Sequence, residues 1–185
     1  MVLICCIDGN IGAGKSTVLA ELNRRGYRVF KEELTSWGWC LSNYYQDPKR
    51  WAFTLQMAIL RSMANQYSAI NADDAKVVFV ERSPESGMIF TRNSWRHGNM
   101  TTDEMNIVGD FYKLFGWTPH ITIKLHTPVE LCLARVMDRN RACEKSITIN
   151  YLRDLDREYE TLNAIRIDGT VSAVEIADTI TDIVS

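Results

Sequence analysis

Five short apolar runs punctuate the chain: Val2–Ile7, Tyr27–Lys31, Lys76–Glu81, Ile121–Leu125 and Ala164–Asp168. Runs of this length bounded by turn residues read as strands. The third, Lys76-Val77-Val78-Phe79-Val80, is almost wholly apolar, as befits a strand covered on both faces. The segments between them carry apolar residues at helical spacing. A helix is predicted from Thr17 to Arg25, one from Pro48 to about Ile70, one from Pro128 to about Asn140, and a closing one over Val171–Val184. Asp103 and Glu104 suit the first turn of another, capped by Thr101 or Thr102. Strands alternating with helices predict an α/β fold: a parallel sheet with helices on both faces.

The connection after the first strand is the most informative stretch. Gly9-Asn10-Ile11-Gly12-Ala13-Gly14-Lys15-Ser16, followed by Thr17, has the form GxxxxGK[ST] between a strand and a helix. Glycines let such a loop curl so that successive N–H groups face an anion. The helix N-terminus adds partial positive charge. Lys15 can reach the β- and γ-phosphates, and the Ser16 hydroxyl can sit on Mg²⁺. A nucleoside triphosphate such as ATP is the expected ligand.

Catalytic groups in open parallel sheets gather at the carboxyl ends of the strands. Strand two ends in Lys31-Glu32-Glu33, and the third ends in Glu81-Arg82-Ser83. Glu81 suits a carboxylate near Mg²⁺, and Arg82 suits charge neutralisation on a transferring phosphoryl group. Either Glu32 or Glu33 could hold an attacking hydroxyl. On the helix after Pro48, Gln56, Ile59 and Met63 share one face. That face is either ordinary core or an amide poised over apolar neighbours to grip a nucleobase. Trp37, Trp39, Tyr44 and Tyr45 upstream are open to the same two readings. Three arginines, Arg135, Arg139 and Arg141, crowd seven residues. Like charges so close call for a bound anion, as in a lid over a triphosphate, or else form a solvated helix end.

Bulk properties narrow the class. The chain has 185 residues, 46% apolar and 24% charged, and carries a net charge of −2. It is read as one domain, residues 1–185, with a lid at about 136–148. No charge track for nucleic acid is evident, and no apolar run is long enough to span a membrane. Five cysteines, Cys5, Cys6, Cys40, Cys132 and Cys143, lack CxxC spacing or a matching histidine set. A reducing, cytoplasmic location is expected. With so apolar a start, no leader peptide is expected. His97, His120 and His126 are read as structural or surface residues.

These blocks resemble the deoxynucleoside kinases, the group of deoxycytidine, deoxyguanosine and mitochondrial-type thymidine kinases. The resemblance runs from about Leu3 to Glu160. Its specific parts are Asp8–Thr17, Pro48–Gln56, Glu81-Arg82-Ser83, and Arg135–Glu144 with Tyr151-Leu152. It implies a P-loop kinase fold with a five-stranded parallel sheet and an arginine-rich lid. The implied activity is ATP-dependent phosphorylation of a deoxynucleoside 5′-hydroxyl, with Mg²⁺. The family base lies five residues before a tryptophan, which points to Glu32 before Trp37. By the same likeness Gln56 reads the base, and Tyr45 with Glu144 meets the sugar 3′-hydroxyl. Arg82 lies near the 5′-hydroxyl, Ser16 and Glu81 form the Mg²⁺ shell, and Arg135, Arg139 and Arg141 are lid arginines. Asp168 falls near the adenine-side loop.

Departures from the family pattern concern selectivity. Deoxycytidine and deoxyguanosine kinases carry an arginine and an aspartate beside the base, where this chain has Met63 and Gly87. That change implies preference for thymidine, with other pyrimidines tolerated, and a roomy pocket at Gly87. Thr148 replaces a common proline and is expected to loosen the lid. Trp51, Phe53, Leu55 and Leu60 exceed what one helix face can bury, consistent with the family's homodimers. A compact chain suits a viral or otherwise minimal member. The rivals are a monophosphate kinase of the thymidylate type, which needs basic groups for the acceptor's phosphate, and a nucleotide-binding switch.

Overall fold

The computed structural model describes residues 2–141 and 144–185. Among the described residues, five strands are interleaved with eight helices: β1 Leu3–Asp8, α1 Lys15–Arg24, β2 Arg28–Phe30, α2 Leu34–Gln46, α3 Pro48–Asn71, β3 Val77–Glu81, α4 Pro84–Arg96, α5 Thr102–Phe115, β4 Ile121–His126, α6 Val129–Arg139, α7 Ile149–Tyr159, β5 Ile165–Asp168 and α8 Ala173–Val184. All strand pairings are parallel, in the order β2-β3-β1-β4-β5. Register along the central pair sets Leu3 opposite Val77 and Ile7 opposite Glu81.

Strand alternation separates two cores across the sheet. Cys5 and Ile7 of β1 and Phe79 of β3 face one side, packing with Val18, Leu19 and Leu22 of α1 and Ile176 and Ile180 of α8. Ile4 and Cys6 with Val78 and Val80 face the other, against Ile70 of α3 and Trp117. Burying each such side chain contributes roughly 1.5–3 kcal/mol relative to exposure. Cys5, Cys6 and Cys132 are free thiols buried in these layers, and Cys40 of α2 is a buried free thiol; Cys143 lies outside the described residues. A third cluster, Trp37, Tyr44, Leu55, Met63 and Tyr112, joins α2, α3 and α5 over the carboxyl end of the sheet.

Helix ends follow local chemistry. Asp47 accepts the Arg50 N–H at 3.2 Å, and Pro48 starts α3 where its missing N–H costs nothing. Thr101 caps α5 in a reciprocal box with Glu104. Thr148 caps α7, its hydroxyl accepting the Tyr151 N–H at 3.2 Å. His120 is structural, its Nδ1 accepting the Ile4 N–H at 3.0 Å. Among the described residues no helix is long and apolar enough to cross a membrane.

The chain leaves β1 toward β2 on one side and leaves β4 toward β5 on the other. A crevice opens where these directions part, at the carboxyl ends of the strands.

Candidate active site

The loop between β1 and α1 lies in that crevice. Gly12 has φ +80°, and a Cβ there would sit 2.3 Å from the Cys132 carbonyl oxygen; Gly14, at φ +103°, is the left-handed N-cap of α1. Both positions therefore require glycine. Lys15 is buried, and its Nζ donates to the carbonyls of Gly9 at 3.1 Å and Asn10 at 2.8 Å. Burial pushes its pKa down to about 8, helped by Arg82 and opposed by Glu81, Glu32 and Asp8. Asn10 ties the loop to α7, donating to the Leu152 carbonyl at 2.8 Å. Just inside α1, the Ser16 hydroxyl donates to Glu81 Oε1 at 2.9 Å. Two oxygen ligands at a phosphate loop suit a hard cation such as Mg²⁺.

Glu32 and Glu33 point in different directions. Glu32 turns inward, Oε1 3.0 Å from Arg82 Nε. Glu33 is exposed at the start of α2, where Ser62 Oγ reaches its Oε2 at 3.4 Å. Burial raises the Glu32 pKa against the lowering pull of Arg82 and Lys15, with Glu81 and Asp8 adding to the rise.

Arg82 itself has φ +67°, a conformation that costs a non-glycine residue about 1–3 kcal/mol and persists where the surroundings hold it. Its N–H donates to the Ile7 carbonyl at 3.1 Å. Its Nη1 donates to the Gly9 carbonyl at 3.1 Å and to the Tyr159 hydroxyl. Its guanidinium lies 4.8 Å over the Phe90 ring.

One cavity of about 510 Å³ joins these groups. It is lined at one end by the phosphate loop, Glu81 and Arg82, and at the other by Trp37, Tyr45, Gln56, Ile59, Met63 and Gly87. Gln56 is buried, and its Oε1 has no hydrogen-bond partner among the described residues. An orphaned amide oxygen at a cavity wall is the mark of a group kept for a ligand. Gly9, Asn10 and Ala13 support the loop from beneath, while Ile11, Gly12, Gly14 and Thr17 reach the cavity surface. Asp168 lies apart, exposed beside a shallow recess with His126 and Arg166, where hydrogen bonds from Thr170 lower its pKa.

The three arginines have partners within the chain. Arg135 Nη1 donates to the carbonyls of Ala13 at 3.2 Å and Gly169 at 3.3 Å, which anchors it to the phosphate loop. Arg139 grips Glu144 with two 2.7 Å bonds, and Arg141 approaches the same carboxylate at 3.5 Å. The expected lid spans Ala142 and Cys143, which lie outside the described residues.

Gly87 is not a roomy spot. A Cβ built on it would lie 1.9 Å from the hydroxyl oxygen of Tyr112, which reaches over from α5. That oxygen is buried with no hydrogen-bond partner among the described residues. Tyr112, Tyr159 and Phe90 escape a reading based on strand ends and helix faces. They sit on α5, α7 and the middle of α4 and reach the site only through packing.

A strand, phosphate loop and helix, with a carboxylate–arginine pair at a cavity of about 510 Å³, suit a phosphotransferase. Residues 5–183 match the family model for deoxynucleoside kinase. A frog virus 3 (isolate Goorha) protein that carries the name of a deoxynucleoside kinase is 31% identical over 84% of this chain and 80% of its own. The thymidine kinase of Ictalurid herpesvirus 1 (strain Auburn) is 30% identical over 98% of this chain and 85% of its own. Among solved structures, deoxyadenosine kinase from M. mycoides, with dCMP and dCDP bound, superposes with a TM-score of 0.88 at 23% identity, covering 98% of each chain. The chain belongs to the deoxynucleoside kinase family, whose activity is phosphorylation of a deoxynucleoside.

Proposed function

We propose that this protein transfers the γ-phosphoryl group of ATP to the 5′-hydroxyl of a pyrimidine deoxynucleoside, thymidine foremost. The observation that carries the reading is the Glu32–Arg82 pair, 3.0 Å apart. It faces a cavity that runs from the phosphate loop to Gln56, Ile59 and Met63. The triphosphate lies on Gly9–Thr17, with Lys15 turning from the loop carbonyls to the phosphates and Arg135, Arg139 and Arg141 above. Ser16 and Glu81 would hold Mg²⁺, which neutralises charge on the phosphates when bound.

The base rests on the Ile59–Met63 face with Gln56 at its polar edge. Tyr45 and Glu144 are placed for the sugar, and Trp37 walls the cavity. Glu32 accepts the 5′-hydroxyl proton, and Arg82 stabilises charge on the group in transit. Met63 is apolar and buried, so no charged partner meets a purine or cytosine edge there. This favours thymidine, with deoxycytidine and deoxyuridine tolerated.

The test is release of ADP with ATP and Mg²⁺ across thymidine, deoxycytidine, deoxyadenosine, deoxyguanosine and thymidine monophosphate. The reading expects turnover on thymidine well above the purines. Turnover on the monophosphate alone would overturn the acceptor assignment.

A homodimer is part of the same proposal. Ile107, Phe111, Leu114 and Phe115 form an exposed apolar row on α5, with Leu114 73% exposed and the Phe111 and Phe115 rings stacked at 5.7 Å. Trp51 and Phe53 of α3 are only half-buried, whereas Leu55 and Leu60 are consumed by the protomer's own core. Exposed rows of this kind mark association surfaces. Light scattering should give twice the chain mass, and a Leu114→Glu variant should give the monomer.

A further inference from the structure

We propose that Tyr159 is the positioning residue for Arg82: its hydroxyl is a spacer that keeps the guanidinium on Glu32 and off Asp8. The proposal rests on the phosphotransferase reading of the site.

Three acidic or polar groups compete for Arg82. Glu32 Oε1 takes Nε at 3.0 Å, Asp8 Oδ1 stands 3.8 Å from Nη1, and the Tyr159 hydroxyl lies between the last two. Tyr159 is fully buried at the C-terminal end of α7. Its oxygen accepts from Arg82 Nη1, and its proton goes to Asp8 Oδ1 at 3.2 Å. A phenol has one donor, so this bridge uses it completely.

Asp8 is a strong rival for the guanidinium. It ends β1, is fully buried, and accepts from Gly9 N–H at 3.0 Å, Ser83 N–H at 3.1 Å and Ser83 Oγ at 3.0 Å. These donors and the Tyr159 hydroxyl are neutral, so among the described residues the carboxylate's charge is met by no charged group closer than Arg82. Removing the phenol oxygen would let Nη1 close the 3.8 Å gap and draw the guanidinium away from Glu32. The bonds to Glu32, Gly9 and Tyr159 use Nε and both hydrogens of Nη1, which leaves Nη2 for the substrate. The aim of Nη2 therefore depends on the spacer. Tyr151 of the same helix lines the cavity, so α7 connects the cavity wall to the arginine.

A purely structural role is the competing account. The Tyr159 ring packs edge-on to Phe90 and against Ile89, Leu155 and Leu162. Phenylalanine would preserve all of that.

The experiment compares Tyr159→Phe and Ser83→Ala with the native enzyme. Ser83→Ala loosens the same Asp8 carboxylate without touching Arg82. Displacement of a catalytic group by about 1 Å can cost 10²-fold in rate. Tyr159→Phe should lower kcat by roughly 10- to 100-fold, with nucleoside KM and ATP affinity within about threefold. Glu32 faces Arg82, Lys15, Glu81 and Asp8. Weakening its arginine contact should move the acid limb of kcat upward by about one pH unit, and Ser83→Ala should leave that limb in place. An unchanged kcat and acid limb in Tyr159→Phe, or equal shifts in both variants, would overturn the proposal.

NMR of the native protein gives a second reading should the phenylalanine variant fail to fold. A slowly exchanging Tyr159 hydroxyl proton with a cross-peak to the Arg82 guanidinium is expected, and its absence counts against the bridge. A native enzyme that turns over no nucleoside refutes the proposed function instead, and is visible before any variant is made.

Discussion

Replacing Gly87 by alanine tests the packing of the base pocket by the sign of one number. Gly87 lies inside α4. With free space around it, alanine there would stabilise the protein by about 1 kcal/mol through helix propensity. The structure predicts the opposite. The new Cβ would meet Tyr112 at 1.9 Å from Oη, 2.5 Å from Cζ and 3.0 Å from Cε1. Tyr112 is only 7% exposed and packs in the cluster with Trp37 and Met63, so its ring has little room to retreat. Overpacking of this severity costs about 3 kcal/mol, which leaves a net loss of about 2 kcal/mol. For a chain of this size that is a fall in Tm of roughly 4–8 °C.

Tyr112→Phe removes the 1.9 Å contact and an unpartnered hydroxyl. Alone it should be neutral or stabilising. In its background Gly87→Ala should cost less, because the closest remaining approach is 2.5 Å. Differential scanning calorimetry on the four proteins of this cycle measures the coupling, expected at about 1–2 kcal/mol. A Gly87→Ala protein that melts at or above the native temperature would refute the reasoning. The same geometry bears on selectivity. Gly87→Asp with Met63→Arg, the change that would restore a charged pair beside the base, should fail unless Tyr112 is also shortened.

Three further outcomes are expected. Glu32→Gln should lower kcat by about 10²–10⁴ with little change in ATP affinity, and unchanged turnover would remove Glu32 from the chemistry. Because the Glu32 pKa is raised, its reactive carboxylate form is lost as pH falls while ordinary exposed carboxylates are still ionised. The kcat profile should therefore drop with unit slope from above about pH 4.3, and a profile flat to that value would contradict the assignment. Ser16→Ala should raise the Mg²⁺ concentration needed for half-maximal rate by about tenfold or more, and an unchanged metal titration would place the ion elsewhere.

Much of the architecture was legible in the chain because period and punctuation carry it. The five apolar runs became five strands within a residue or two, since alternating or continuous apolar segments between helical patterns have few ways to be buried. Pro48, Thr101 and the glycines of the loop marked their turns by local sterics and hydrogen bonding. The phosphate loop was legible for the same reason: its chemistry lies in consecutive backbone N–H groups and needs no distant partner. Resemblance to a family then supplied roles for Glu32, Gln56 and the arginines that spacing alone had left open.

Other features depended on which helix packs against which. Glu32 and Glu33 are neighbours with the same side chain, and only the fold shows that Glu32 lines the cavity against Arg82. Gly87 reads as empty space until α5 brings Tyr112 across it. That Arg135 meets the carbonyls of Ala13 and Gly169, 122 and 34 residues away along the chain, is visible only in the fold. Tyr159 lies 77 residues beyond Arg82 in sequence, yet its hydroxyl touches the guanidinium. Local order can be read from the chain because each residue constrains its neighbours. Side-chain pairing across the sheet cannot, because it is set by the burial of whole helices.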